Sequence, residues 1–582
     1  MQQISKPGLY AGFSEPKYDS FTRHSEYVEV QDGTKLAVDY YIPSNAWTEA
    51  SGRFPVIFEF TPYDRICYKS NGEKSIESYD YYTTEACVEL YTSYGYVYAR
   101  ADVRGKGASF GTRTCANSRQ EASDGRDIVE WLAAQEWSTG RVGLVGSSYT
   151  GQTQLEIISK RPKHLKAAVV GCTDYNHYDG WIRGGIARAF GANPDVLWDH
   201  QGGDMTIDKM VANTVPVDED TDKIMLREAI QDHINNGLQI PIFRDLLWRN
   251  SISESTHDDY WNQVSASTYK QDINDSGVAM YLLGGLHDVF RRDTFIIYEN
   301  LTVPKKLTCG DWYHCMAKYN PAWPIEHLRW FDYWLKDIDN GICDEPPIYL
   351  KVTNEEPDRD FEFHNTWPVH NGSKTHLYLQ EGKLQKLKPI EASSIDYKAV
   401  YGVQTGVEDY YGDDVLEKGL VFETAALEQD FRITGHPLLN VTFSIESDGF
   451  EDVDIFATLL DYDPGTKKAH QFSDGRLRTS LRSTAVPPYD FLGLPWHPAN
   501  KEDIQLVRRG EQISLEIDLM PVSFLLKKGH VLKLVISNSM RGFYYLGKKA
   551  YEEDPVGYSS PLIRFYTGGD NKAELILPNI YG

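Results

Sequence analysis

Val142-Gly-Leu-Val-Gly146-Ser-Ser148-Tyr-Thr-Gly151 is the stretch on which the reading of this chain turns. Val142 to Val145 is a short apolar run of the kind that forms a buried strand. Gln152 to Ser159 reads as a helix that stops before Arg161-Pro162, because a residue preceding proline is pushed out of the helical region. A serine held in so sharp a strand-to-helix turn needs small residues two places before and after it, and Gly146 and Thr150 stand there. Gly151 lets the helix pack closely. Such a turn exposes the Ser148 hydroxyl, and the helix N-terminus favours negative charge developing beside it. The adjacent Ser147 is a decoy whose hydroxyl is expected to point away from the tip.

Two further strand ends carry the complementary groups. Gly277 to Leu283 is an apolar strand running into Gly284-Gly-Leu-His287-Asp288, and Lys306 to Gly310 runs into Asp311-Trp-Tyr-His314. The order Ser…Asp…His, each residue after a βα-type strand, belongs to α/β-hydrolases and not to the chymotrypsin or subtilisin arrangements. His314 is the expected base that activates Ser148, and Asp288 the acid that fixes the imidazole tautomer. Asp311 rivals Asp288 but lies only three residues before His314. His287 reads as structural or as a pocket wall. For the oxyanion, the backbone N–H of Tyr149 is one expected donor. Pro62 removes an N–H from the loop after Phe58 to Phe60, so the Tyr63 hydroxyl is the expected second donor. Trp181, Phe190 and Trp198, with Trp312, either line an apolar acyl pocket or fill the core around it.

Bulk properties narrow the partners. A chain of 582 residues exceeds one hydrophobic core, so two or three domains are expected. A net charge of −25 argues against nucleic acid, whose phosphates need a positive surface. No run approaches the roughly 18 apolar residues of a membrane span, and the N-terminus lacks a signal pattern, so the expectation is a cytoplasmic protein without a membrane partner. The seven cysteines show no CxxC or CxxH spacing, which predicts reduced structural thiols and no metal. No cofactor is expected: Gly105-x-Gly107-x-x-x-Gly111 has the wrong spacing for a dinucleotide loop and reads as a tight turn bracing the site. The acidic run Asp218 to Asp222 reads as a solvated loop rather than a calcium site. The expected partner is a small ester or a short peptide; homo-oligomerisation is left open.

The fold class that follows is α/β, an α/β-hydrolase core with an inserted helical cap and a C-terminal all-β jelly roll. Tyr27 to Val30 and Leu36 to Ile42 predict a hairpin with a primed turn at Asp32-Gly33. Phe54 to Phe60, Tyr96 to Val103 and Leu165 to Val170 are further strands. Asp124 to Ala134 is helical, with Ile128, Trp131 and Leu132 on one face. The α/β rhythm breaks over 174–275, read as the cap, and resumes over 276–345, completing the core begun in 1–173. Over 346–582, Val441 to Ile445, Ile455 to Leu460, Ile513 to Ile517 and Val531 to Ile536 predict a sandwich or jelly roll.

These motifs together make the chain resemble the cocaine-esterase and X-prolyl dipeptidyl-peptidase (S15-like) group of serine hydrolases. The resemblance rests on Thr61-Pro-Tyr63-Asp, Asp102-Val-Arg104-Gly-Lys-Gly107-Ala-Ser109-Phe-Gly111, Gly146-Ser-Ser148-Tyr149, Gly285-Leu-His-Asp288, Gly310-Asp-Trp-Tyr-His314 and Lys528-Gly-His530. It implies the same core, cap and jelly roll. Carried over residue by residue, it also implies nucleophile Ser148, acid Asp288, base His314 and oxyanion donors Tyr63 and Tyr149. Members that hydrolyse α-amino acid esters carry carboxylates for the substrate ammonium. Here Trp181-Ile-Arg183-Gly-Gly185 and Val289-Phe290-Arg291-Arg292 stand in those places, the wrong sign for an amine, although Asp195, Asp199 and Asp204 remain as acids in the cap. The expected activity is therefore cleavage of carboxylic esters through an acyl-enzyme. The alternatives are removal of X-Pro dipeptides and, in a different class, an inert carbohydrate-binding protein.

Overall fold

The computed structural model describes residues 3–76, 84–187, 206–237, 246–254, 256–316, 320, 322–355, 361–369, 373–399, 419–538 and 560–579. Its first sheet is built from β1 (Ser20–Glu29), β2 (Lys35–Asn45), β3 (Phe54–Thr61), β4 (Val97–Asp102), β5 (Ser138–Ser147), β6 (Leu165–Gly171), β7 (Ala279–Gly285) and β8 (Lys305–Gly310). They lie in the order β1-β2-β4-β3-β5-β6-β7-β8. Two short strands, β9 (Ile348–Leu350) and β10 (Glu362–His364), extend the far edge, and Thr48–Glu49 pairs with β2. Pairings from β4 through β9 are parallel, and only the two ends are antiparallel, so the sheet is mixed.

Apolar side chains alternate across this sheet, so both faces must be covered. Val142 and Leu144 of β5 join a cluster with Ile128, Leu132, Leu155 and Ile158, which come from α2 (Arg119–Ala134) and α3 (Tyr149–Ser159). Val145 faces the opposite cluster, with Val88 and Tyr91 of α1 (Glu85–Ser93) and Leu328 and Phe331 of a helix over Trp323–Lys336. Full burial of one such side chain contributes about 1.5–3 kcal/mol. This two-sided burial is why β5 reads as an unbroken apolar run.

The β1–β2 turn differs from the sequence expectation. The strands part at Glu29 and Lys35, and the Gly33 N–H donates to the Val30 carbonyl at 2.8 Å. Gly33 alone is left-handed there, at φ +86°, whereas a primed turn needs its first central residue left-handed. The loop is a longer one closed by a glycine.

Between β6 and β7 the described helices include α4 (His177–Ile182), α5 (Ile207–Asn213), α6 (Ile224–His233) and α7 (Lys270–Asp275). The Asp218 to Asp222 run serves α6: the two Asp220 carboxylate oxygens accept the N–H groups of Met225 and Leu226, and Asp218 pairs with Arg23. A second sheet of thirteen strands follows, antiparallel except where Lys383–Gln385 meets Leu420–Glu423. It includes β11 (Leu438–Ile445), β12 (Asp454–Asp463), β13 (Lys468–Arg478), β14 (Ile513–Asp518), β15 (Val522–Leu526) and β16 (Val531–Ser537), which contain the four predicted runs. Among the described residues no helix is long and apolar enough to cross a membrane.

Buried charges join the two sheets. Arg183, just after α4, donates from Nη2 to the Asp518 carboxylate at 2.7 Å and to its carbonyl at 2.6 Å. Arg292, in α8 (Arg291–Asn300), reaches the same carboxylate at 3.2 Å. Arg291 pairs with Asp474 of β13, and Arg249 donates to Asp179 and to the Pro498 carbonyl. Held between Arg183 and Arg292, Asp518 has its carboxyl pulled down to about 2 although burial alone would raise it.

Candidate active site

Ser148 caps α3 with φ +58° and ψ −122°, a backbone conformation that costs about 1–3 kcal/mol for a residue with a Cβ. The neighbours explain how it persists. A Cβ on Gly146 would stand 2.5 Å from Thr150 Oγ1, and one on Gly151 only 2.4 Å from the Gly171 carbonyl, so strand, helix and β6 close on the turn. The Ser148 N–H donates to the Gly171 carbonyl at 3.0 Å, and the Ser147 N–H to Thr150 Oγ1 at 2.8 Å. Ser147 is buried against Cys315, with Sγ 3.5 Å from its Oγ, while Ser148 is partly exposed. The two hydroxyls thus diverge as the turn geometry predicts.

His314 Nε2 lies 2.9 Å from Ser148 Oγ, and His314 Nδ1 lies 2.8 Å from Asp288 Oδ2. The other oxygen of Asp288 accepts the Phe290 N–H at 2.6 Å, so one carboxylate both fixes the residue that precedes α8 and holds the imidazole. Asp311 is turned elsewhere: its carboxylate lies 2.7 Å from His287 Nε2. The two His–Asp pairs therefore cross between the loops, His314 with Asp288 and His287 with Asp311. Burial would raise the Asp288 carboxyl, but His314 and the donors around it hold it below the ordinary carboxylate value. Burial opposes the imidazolium of His314; Cys315 and the Asp288 carboxylate more than offset this and raise its basicity above that of an ordinary histidine.

Tyr149 opens α3, where the first N–H groups have no acceptor within their own helix. Its side chain points the other way, into the core. The hydroxyl donates to Glu121 at 2.8 Å and accepts from the Asn117 N–H at 3.0 Å. Burial pushes the Glu121 carboxyl up to about 7. Tyr63 stands edge-on to the Tyr149 ring, with centroids 6.1 Å apart. Its loop is pinned two residues later, where Arg65 bonds Asp102 through its N–H at 2.5 Å and through Nη1 at 2.9 Å. The Ala108 N–H donates to the same carboxylate at 2.9 Å, so the Gly105 to Gly111 turn is tied to the Tyr63 loop.

The other candidates scatter. Trp181 packs beside His177 in the cluster of Tyr178 and Trp261. The Trp312 indole lies against Gly310 and edges Trp323. Phe190, Trp198, Asp195, Asp199 and Asp204 lie outside the described residues. Arg291 and Arg292, expected to set the sign of the site, are buried and paired with Asp474 and Asp518. One grouping has no sequence signal at all: Cys172, at the end of β6, and Cys315 come together beside His314. All seven cysteines are free thiols. The hydrogen bond that Cys172 shares with Cys315 raises the Cys172 thiol. Against burial, that bond and the charge of His314 lower Cys315.

The strand order, with Ser148, Asp288 and His314 gathered beyond the carboxyl ends of β5, β7 and β8, defines a hydrolase fold of the CocE/NonD kind. A crystal structure of a CocE/NonD family hydrolase from Staphylococcus aureus superposes with a TM-score of 0.74 at 20% identity, covering 96% of this chain and 94% of that one. Residues 32–316 match the family model of the X-Pro dipeptidyl-peptidase (S15 family), and residues 340–545 that of the X-Pro dipeptidyl-peptidase C-terminal non-catalytic domain. The chain thus resembles the S15 family of hydrolases over most of its length. A Mycobacterium bovis protein bearing the name "Putative serine esterase" is 26% identical over 97% of this chain and 96% of its own length. The cocaine esterase of Rhodococcus sp. is 22% identical over 95% and 97%.

Proposed function

We propose that this chain is a serine hydrolase that cleaves carboxylic esters through an acyl-enzyme. The observation that carries the reading is the continuous relay from Ser148 Oγ through His314 to Asp288, at 2.9 and 2.8 Å, on a serine held left-handed. His314 Nε2 takes the Ser148 proton as Oγ attacks the ester carbonyl. The oxyanion is held by the Tyr149 N–H and the Tyr63 hydroxyl. The tetrahedral intermediate collapses, His314 returns the proton to the departing alkoxide, and the acyl group remains on Ser148. Water then enters, is deprotonated by the same nitrogen, and releases the acid. Asp288 keeps Nδ1 protonated throughout, so Nε2 is the basic nitrogen.

In this reading 174–275 is a helical cap over the site and 346–582 a jelly roll, with the core made of 1–173 and 276–345. The acyl pocket is expected between cap and core. Removal of X-Pro dipeptides is the second reading, favoured by the family match. Against it, the carboxylates beside the two arginine segments are engaged: Asp179 by Arg249, Asp474 by Arg291, Asp518 by Arg183 and Arg292, and Asp293 by the Tyr175 N–H and Arg292, which leaves them unsuited to a substrate ammonium. The test is labelling by a fluorophosphonate probe, followed by a screen of p-nitrophenyl esters beside Gly-Pro-p-nitroanilide. Labelling at Ser148 with ester turnover supports the reading; an unlabelled protein sinks it.

A further inference from the structure

We propose that Cys172, Cys315 and His314 form a binding site for a thiophilic divalent cation such as Zn²⁺, and that filling it takes the imidazole away from Ser148. The two thiols and one ring nitrogen lie within 4.8 Å of one another. A tetrahedral zinc with Zn–S near 2.3 Å sets its sulfurs roughly 3.8 Å apart, so the three donors need to contract by about an ångström or less. Two sulfurs and an imidazole suit zinc and its softer relatives and do not suit calcium or magnesium.

The backbone aims these side chains. Cys172 and Cys315 are both left-handed, at φ +43° and +57°, and both are 2% exposed. Neither cysteine is a glycine substitute in a surface turn; each is held in strained backbone inside the protein, which requires surrounding structure to impose it. The Cys172 N–H donates to the Leu283 carbonyl at 2.8 Å, fixing it to β7, and Cys315 follows directly on His314. Neutral imidazole, two thiolates and a dication sum to zero charge, which a buried site tolerates far better than a bare ion. Binding releases two protons, one from each thiol, and no electron moves. A water completes four-coordination, which keeps the site neutral.

The consequence for turnover rests on the reading of His314 as the base; the binding site does not. The test therefore has two arms, on full-length protein stripped of metal and kept reduced with a phosphine, which excludes a Cys172–Cys315 disulfide as the cause. In the first, Co²⁺ is added as the probe. One equivalent should give the intense near-ultraviolet thiolate-to-cobalt band and the visible bands of a tetrahedral site in the wild type, and neither in Cys172→Ser/Cys315→Ser. In the second, Zn²⁺ should lower ester kcat/KM and fluorophosphonate labelling at least tenfold in the wild type, reversibly with EDTA, while each cysteine variant keeps its own zinc-free rate. Absence of thiolate bands in the wild type overturns the proposal without recourse to any variant. Equal zinc sensitivity in wild type and variants overturns it as well. Failure of the catalytic reading would show separately, as metal-free protein that turns over normally with His314→Ala.

Discussion

Replacing Asp288 by asparagine isolates the tautomer of His314. Asp288 is 1% exposed, and one of its oxygens accepts the Phe290 N–H at 2.6 Å. Only the carbonyl of an asparagine can accept that bond, so its NH₂ group must face His314 Nδ1. The ring then keeps its proton on Nε2, points N–H at Ser148, and cannot take the hydroxyl proton. The expected loss in kcat is about 10⁴, or about 5.4 kcal/mol in activation free energy. Losing the carboxylate also removes one of the groups that raise the basicity of His314, so the acid limb of kcat/KM, which in the wild type should lie above the ordinary histidine value of about 6.5, should move down. Asp311→Asn is the control. That carboxylate pairs with His287 and its side chain is 45% exposed, so the loss should stay within a few-fold. Stopped-flow hydrolysis of a p-nitrophenyl ester across pH, with circular dichroism to show the fold, measures both variants. A crippled Asp311→Asn beside a near-normal Asp288→Asn would transfer the acid role and refute the reasoning.

Ser148→Ala should abolish fluorophosphonate labelling and turnover with the melting curve preserved, whereas Ser147→Ala, whose hydroxyl is buried against Cys315, should stay active; the reverse pattern would mean the wrong register at the turn. Tyr63→Phe should lower kcat by about 10²–10³ with a smaller change in KM, and a wild-type kcat would assign that donor to a backbone N–H. Esters of N-acetylated amino acids should be better substrates than the same esters with a free α-ammonium; a clear kcat/KM advantage for the free amines would contradict the commitment of Asp179, Asp474 and Asp518 to arginines. Asp518 is depressed in the folded state to about 2, so its contribution is fully present above the unfolded carboxylate value near 4 and is lost as pH falls through 2. That shift amounts to about 2 kcal/mol, and Asp518→Asn, which takes the carboxylate from buried Arg183 and leaves Arg292 only Asp293, should cost about 3–5 kcal/mol in urea unfolding at pH 7; a variant as stable as the wild type would show the pairs to be idle.

The sequence was most legible where one local rule decides the outcome. The apolar runs at Val142, Gly277 and Lys306 sit on both-faces-buried strands, and the residues that follow them land at neighbouring strand ends, so Ser148, Asp288 and His314 converge by topology. The five residues of α2 before Asp124 were not anticipated, although Ser118 with Glu121 three places on is a capping signal, and Ser118 Oγ does accept the Glu121 N–H. α1 was likewise missed behind its Thr84 cap. Other features have no local sequence trace. That Asp311 serves His287 depends on how two loops cross. That Arg183 and Arg292 meet Asp518 depends on docking across more than two hundred residues of chain, which is why their charge reads as available when it is already neutralised. The approach of Cys172 to Cys315 is of the same kind.

The shared carboxylate of Asp518 also bears on how such a chain can be rebuilt from parts. Asp518 belongs to the second sheet, Arg183 to the segment between β6 and β7, and Arg292 to α8, which begins just after Asp288. Exchanging the C-terminal region with that of a relative moves one of these three charges without the other two. A chimera whose second sheet lacks that acid would leave Arg183 without the Asp518 carboxylate and Arg292 with Asp293 alone and, one helical turn from the acid of the relay, a loosened anchor. Arg183, Arg292 and Asp518 therefore form a single heritable unit spread over three segments, and a graft that carries all three together should be recoverable where one split at residue 346 is not.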